Sequence, residues 1–281
     1  MGLAVAARAG AAEAPDPYLW LEDVSSPRVD AWVKAENAKT LGVLEQDQRY
    51  PALYAQALDI AQAKDRIPTP RFLGDAVYNF WQDADHVRGL WRKTSLADYR
   101  KPDPAWTPVL DLDQLATAEK ANWVWHGADC RRPDERVCLI SLSDGGEDAV
   151  TTREFDLAAG RFVKGGFTLP KSKQSAAWLG ADEILVARDW GKGTLTTAGY
   201  PYVVKALKRG QKLSAAKEIF RGKPSDTEVS PVVLQDADGH RAAFIQRGVS
   251  FFESETYMVK DGKALKLDLP LKSHVTDLVA G

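Results

Sequence analysis

A unit of four short strands recurs about every fifty residues through the latter part of the chain, and it constrains the fold more than any single residue does. Asn122-Trp123-Val124-Trp125, Ser175-Ala176-Ala177-Trp178 and Val229-Ser230-Pro231-Val232 each open such a unit. Strongly apolar second strands follow at Val137 to Leu142, Glu183 to Ala187 and Ala242 to Gln246. Third strands are expected at Arg153 to Leu157, Tyr202 to Leu207 and Glu255 to Val259, and fourth strands at Arg161 to Val163, Lys217 to Phe220 and Ala264 to Leu267. Asp144-Gly145-Gly146 and Ala159-Gly160 supply the positive φ that tight hairpins need. Four strands at this spacing are the rhythm of a β-propeller blade, with an all-β sandwich as the alternative.

The same texture begins at Arg71, with strands expected at Ala76 to Trp81, Leu90 to Thr94 and Thr107 to Leu112. The reading is therefore all-β: about four blades of four antiparallel strands, at roughly 71–115, 122–165, 175–221 and 228–268. A short α-helical segment precedes them. Ser26-Pro27 is an N-cap and first-turn pair, and Val29, Trp32, Val33, Leu41 and Leu44 recur near helical spacing, so one helix is expected to end near Tyr50-Pro51. A second runs from Ala52 to about Lys64 and stops before Ile67-Pro68-Thr69-Pro70, where two prolines forbid further helix. This divides the chain into a leader and helical segment, 1–70, and an incomplete propeller, 71–281.

Composition narrows the partners. The 281 residues are 44% hydrophobic, enough for a sizeable core, and 37 basic residues nearly balance 39 acidic ones, so no bulk field recruits nucleic acid or anionic lipid. No run approaches the roughly 18 apolar residues of a spanning helix. Residues 1–14 are Ala-rich, and Ala9-Gly10-Ala11 resembles a signal-peptidase site, but the apolar run Leu3 to Ala7 is short for an export signal. The compartment is left between cytoplasm and periplasm.

Several phrases resemble the prolyl oligopeptidase family of serine peptidases. Asp16-Pro17-Tyr18-Leu19-Trp20-Leu21-Glu22-Asp23, followed by Ala31-Trp32-Val33 and Glu36-Asn37, is similar to that family's opening segment. Val87 to Thr94, Tyr99-Arg100-Lys101-Pro102 and Trp106 to Asp111 resemble its first-blade region. Asn122 to Gly127, Gly191 to Thr196 and Gly199-Tyr200-Pro201 are similar to a bacterial branch. The resemblance implies a seven-bladed propeller joined to an α/β-hydrolase domain, of which this chain holds the helices and about four blades. It also implies that the Ser, Asp and His of the triad belong to the missing domain.

Individual candidate residues have plainer roles. A hydrolase nucleophile sits in Gly-x-Ser-x-Gly, which is absent; the nearest match, Gly248-Val249-Ser250, runs into Phe251-Phe252 in an expected strand. Gly191-x-Gly193 with Gly199 places Thr196 where a dinucleotide fingerprint needs its third glycine, so it reads as a blade-edge loop. Asp111 and Asp113 would share one face of a strand, but nothing nearby completes a calcium shell. His126, Asp129 and Cys130 lack a second metal-ligand pair. Cys130 and Cys138 flank Arg131-Arg132-Pro133-Asp134 and would bridge only if their Cα atoms lay within roughly 7 Å; two free, partly buried thiols are the expectation. Trp123, Trp125 and Trp178 read as core, and Arg131-Arg132 and Lys205 to Arg209 as solvated turns and edges. The residues thus nominate no catalytic, cofactor-binding or metal-ligating group.

The expected function is the non-catalytic propeller of a prolyl oligopeptidase-like peptidase, gating short proline-containing peptides toward the hydrolase domain and inactive alone. A stand-alone propeller acting as a binding module is the alternative.

Overall fold

The computed structural model describes residues 16–23, 26–236 and 238–273, and the chain divides into two units, Met1–Ala63 and Lys64–Gly281. The expectation of an export signal in residues 1–14 lies outside the described residues. In the first unit, helix α1 (Pro27–Leu44) starts where the Ser26 hydroxyl accepts the Arg28 N–H, and Pro27 takes the first turn, where a missing N–H costs nothing. It ends earlier than expected. Asp47 draws in the Arg49 backbone and guanidinium, turning the chain, and α2 (Tyr50–Gln62) carries Pro51 inside its first turn.

The second unit is a succession of antiparallel sheets. Blade 1 is β1 (Arg71–Leu73), β2 (Ala76–Trp81), β3 (Leu90–Ser95) and β4 (Thr107–Asp111), with the short helices α3 (Leu96–Tyr99) and α4 (Leu112–Glu119) around its outer strand. Blade 2 is β5 (Trp123–Cys130), β6 (Val137–Asp144), β7 (Val150–Asp156) and β8 (Arg161–Phe162), and β9 (Thr168–Ser172) also pairs with β7. Blade 3 is β10 (Ser175–Trp178), β11 (Glu183–Ala187), β12 (Val203–Lys208) and β13 (Lys217–Arg221). Blade 4 is β14 (Glu228–Gln235), β15 (Arg241–Gly248), β16 (Ser254–Lys260) and β17 (Lys263–Lys266). The described residues thus form four blades of a β-propeller, preceded in the chain by a short helical segment.

Two departures from the sequence reading are instructive. Asp111 and Asp113 do not share a strand face, because β4 stops at Asp111. Asp111 becomes the N-cap of α4, accepting from Gln114, while Asp113 accepts the Arg88 N–H at 3.1 Å. Blade 2's outer edge is split, since β8 is only two residues long and β9 takes over the pairing with β7.

The apolar middle strands explain the stacking. Successive strand residues point to opposite faces. In β6, Ile140 and Leu142 pack with Leu73, Tyr78, Trp91 and Leu112 of the blade 1 region, whereas Leu139 joins Trp178, Ile184 and Val186 of blade 3. In β11, Leu185 and Ala187 turn the other way, toward Val229, Ala243 and Ile245 of blade 4. Both faces are buried, so both parities must be apolar, which is why these strands read as continuous hydrophobic runs. Trp125 fills the first seam, with ring centroids 5.0 Å from Phe80 and 5.2 Å from Trp91. Gly89, at φ +112°, leaves room for this packing: a Cβ there would lie 2.1 Å from the Phe80 ring. On the face of blade 4 turned from blade 3, Val232, Phe244, Met258 and Leu265 form one cross-strand row, with Leu265 half exposed.

Arginine forks reinforce the later seams. Arg209, expected to be a solvated turn residue, grips Glu154 of β7 through two hydrogen bonds of 2.8 and 3.0 Å, and Glu154 is almost fully buried. Arg247 of β15 grips the buried Asp226 with two bonds of 2.8 Å. Bidentate geometry fixes orientation as well as distance.

Two stability outcomes follow. Ile184→Ala should cost about 2–5 kcal/mol by leaving a cavity in the second seam, while Val124→Ala at an exposed position should cost under about 0.5 kcal/mol, as read from urea midpoints. Arg209→Ala should cost about 2–3 kcal/mol, because it strands a buried carboxylate. Glu154→Gln, which keeps the shape, should cost less; the reverse order would show that the fork does not hold the seam.

Candidate functional site

The innermost strands β1, β5, β10 and β14 finish around an axial cavity. Its largest lobe, about 430 Å³, is bounded by Arg71, Leu73, Asp129, Arg132, Glu135 and Gln235, among others. A second lobe of about 280 Å³ reaches His126, Ser141 and Thr152 and shares Arg71 and Asp129 with the first. A narrow cleft of about 80 Å³ continues past Asp129 to Trp178 and Arg241. Polar residues gather here because an inner strand has no further strand beyond it: its free side faces the axis.

Backbone contacts hold these side chains in place. The Trp178 indole N–H donates to the Asp129 carbonyl at 2.9 Å. Arg71 donates to the Ala128 carbonyl at 2.7 Å, and Arg132 crosses from blade 2 to the Gln235 carbonyl of blade 4 at 3.1 Å. Glu135 accepts the Gly74 N–H and lies 3.6 Å from Arg132. Asp129 differs from its neighbours: among the described residues its carboxylate accepts no hydrogen bond and makes no ion pair. Water reaches it, but only inside a concavity walled by protein. Burial therefore dominates and raises its pKa from 3.8 to about 6, with Arg71 and Arg132 pulling the other way.

Cys130 and Cys138 form a disulfide, with Cα atoms 3.9 Å apart, in place of the two free thiols expected. The reason is register: they are directly opposed across β5 and β6, so the hairpin brings them within bridging range. The bond closes the base of the hairpin that carries Arg131, Arg132 and Glu135 to the cavity. Those arginines are accordingly not simple solvated turn residues; Arg131 pairs with Asp134, and Arg132 bridges two blades.

Other candidates from the sequence do not converge. Ser250 lies in the β15–β16 loop, not in a strand, and its hydroxyl reaches Glu253 at 3.4 Å. No serine hydroxyl among the described residues is hydrogen-bonded to a histidine. The Gly191 to Gly199 stretch is the β11–β12 loop, tied by Asp189 to the Gly191 N–H and by Thr194 to the Gly191 carbonyl. His126 lines the second lobe with Asp129, whereas Cys130 is taken by its disulfide. Trp123, Trp125 and Trp178 pack into the seams. A grouping the sequence reading passed over, Asp236, Asp238 and His240, brings ligand-type atoms within 4.8 Å of one another in the β14–β15 turn. There Asp236 already accepts from the His240 ring and from the Asp238 and His240 backbone.

The sequence pattern of the prolyl oligopeptidase N-terminal β-propeller domain matches residues 4–277. The chain belongs to that family. It is 45% identical over 263 residues to the uncharacterized peptidase y4nA of Sinorhizobium fredii, covering 92% of this chain and 36% of that one. It is 27% identical to the uncharacterized peptidase RP174 of Rickettsia prowazekii, covering 91% and 37%. Among solved structures, a post-proline cleaving enzyme from Rickettsia typhi matches with a TM-score of 0.83 and 27% identity over 90% of this chain and 38% of that one. Oligopeptidase B from Leishmania major shares the fold, with a TM-score of 0.62 at 14% identity. The chain thus spans little more than a third of these relatives, and it corresponds to the N-terminal propeller part of prolyl oligopeptidase-like peptidases.

The raised Asp129 pKa has a direct consequence for this propeller. The folded state holds the proton more tightly than the unfolded chain, so the stability contributed by this group is complete below about pH 4 and is lost as pH rises through about 6. Because water reaches the carboxylate, the loss is about 1 kcal/mol at most. Asp129→Asn should therefore raise the urea midpoint at pH 7.5 and leave it unchanged at pH 4. An equal effect at both values would show that the cavity does not desolvate this group.

Proposed function

We propose that this chain is the propeller of a post-proline-cleaving serine peptidase, restricting access of short proline-containing peptides to an α/β-hydrolase domain that carries the catalytic triad. The observation that carries the reading is the match to the Rickettsia typhi post-proline cleaving enzyme, which covers nearly all of this chain but 38% of that enzyme. The axial cavity supports it, because a passage lined by inner strands admits an extended peptide and excludes a folded domain. On this reading the chemistry is acyl transfer by a serine with a histidine base, an orienting aspartate and an oxyanion hole, all supplied outside these 281 residues. The propeller contributes selection by size.

The test is hydrolysis of an N-blocked Gly-Pro p-nitroanilide by the purified 281-residue chain. No turnover above the blank is expected, and turnover would overturn the assignment of the chemistry to another domain. Gating is tested separately, with the chain joined ahead of the hydrolase region of its Sinorhizobium relative. Such a protein should cleave an octapeptide and spare an unfolded chain of domain length; equal cleavage of both would remove the filter role.

A further inference from the structure

Arg71 and Asp129 line the same two lobes of the axial cavity, yet they form no ion pair with one another. Arg71 commits one guanidinium nitrogen to the Ala128 carbonyl, and no other partner among the described residues takes the rest of the fork. The Asp129 carboxylate accepts nothing. Glu135 and Arg132, by contrast, are occupied by each other, by the Gly74 N–H and by the Gln235 carbonyl. The wall thus presents one unused cation and one unused anion across a space of about 430 Å³, which lies within the range of small-ligand sites.

Arg71 and Asp129 are both open to solvent along the cavity wall, so a ligand that meets the two charges at once can reach them. An inorganic anion would satisfy Arg71 and leave Asp129 bare; a simple cation would do the reverse. A zwitterion satisfies both. Phe72, Leu73, Val233, Leu234 and Gln235 complete the same wall, whose surface is mainly polar and so suits the amide groups in the body of such a molecule. We propose that the axial cavity binds a short peptide with both termini free, its ammonium group on Asp129 and its carboxylate on Arg71. Both contacts are charge-assisted hydrogen bonds, and a lobe of about 430 Å³ is of the size that holds a di- or tripeptide. The site lies wholly within the propeller unit and needs no hydrolase domain, so it holds or fails independently of the gating role.

Calorimetric titration of the 281-residue chain with Gly-Pro, N-acetyl-Gly-Pro and Gly-Pro amide tests this directly. Gly-Pro should bind, and blocking either terminus should weaken binding at least about tenfold, a loss of about 1.4 kcal/mol. In Asp129→Asn the discrimination between Gly-Pro and its N-acetyl form should vanish while sensitivity to the amide remains; Arg71→Gln should show the converse. The blocked peptides are tested on the unaltered chain, so a variant that fails to fold does not obscure the result. Equal affinity for the three peptides, or no heat with about 10 mM Gly-Pro, would overturn the site.

Discussion

A blade of four strands has two apolar faces, and each must be covered by another blade. This requirement sets almost everything else in the structure. It makes β6 and β11 apolar on both faces over most of their length, sends Ile140 and Leu139 to opposite seams, and places Trp125 and Trp178 where one sheet meets the next. Directionless packing of this kind does not by itself fix the angle between neighbouring sheets. The Arg209–Glu154 fork does so between blades 2 and 3, since a planar guanidinium meets a carboxylate squarely in only one relative orientation.

The axial cavity is the complement of that packing. Stacking consumes the faces that neighbouring blades turn toward one another and leaves the inner edge, where the free side of β1, β5, β10 and β14 meets space instead of another strand. Charges placed there meet water only within the cavity, and some pair, as Arg132 does with Glu135, while Arg71 and Asp129 do not. Asp129 expresses both conditions, with a carboxyl that burial has pushed up to about 6 and no hydrogen-bond partner. On the function proposed for this chain, such a passage would select by charge as well as by width.

The sequence was most informative where a local rule and the global packing agreed. The Ser26-Pro27 helix start, the Gly-rich hairpin turns and the apolar second strands are each settled by neighbours in the chain, and the fifty-residue rhythm sums them into blades. It was least informative where a residue's partner lies in another blade. Arg209 sits in a run of basic residues that reads as a solvated turn, and nothing local reveals Glu154 some fifty residues earlier. Asp111 and Asp113 alternate as in a strand, but the cap formed with Gln114 ends the strand between them. Cys130 and Cys138 face each other only once the register of β5 on β6 is set.

The family, the order of strands and the presence of helices ahead of the sheets were therefore determined by the chain alone, since hydrophobic parity and turn chemistry act over a few residues. Pairing was decided by the tertiary structure: the disulfide, the arginine forks and the meeting of Arg71, Asp129 and Arg132 on one axis. The physical reason is range. Periodicity reports which face of a strand is buried, whereas charge and sulfur chemistry depend on what stands across the hairpin or the seam, and a stack of sheets brings together residues that the sequence keeps far apart.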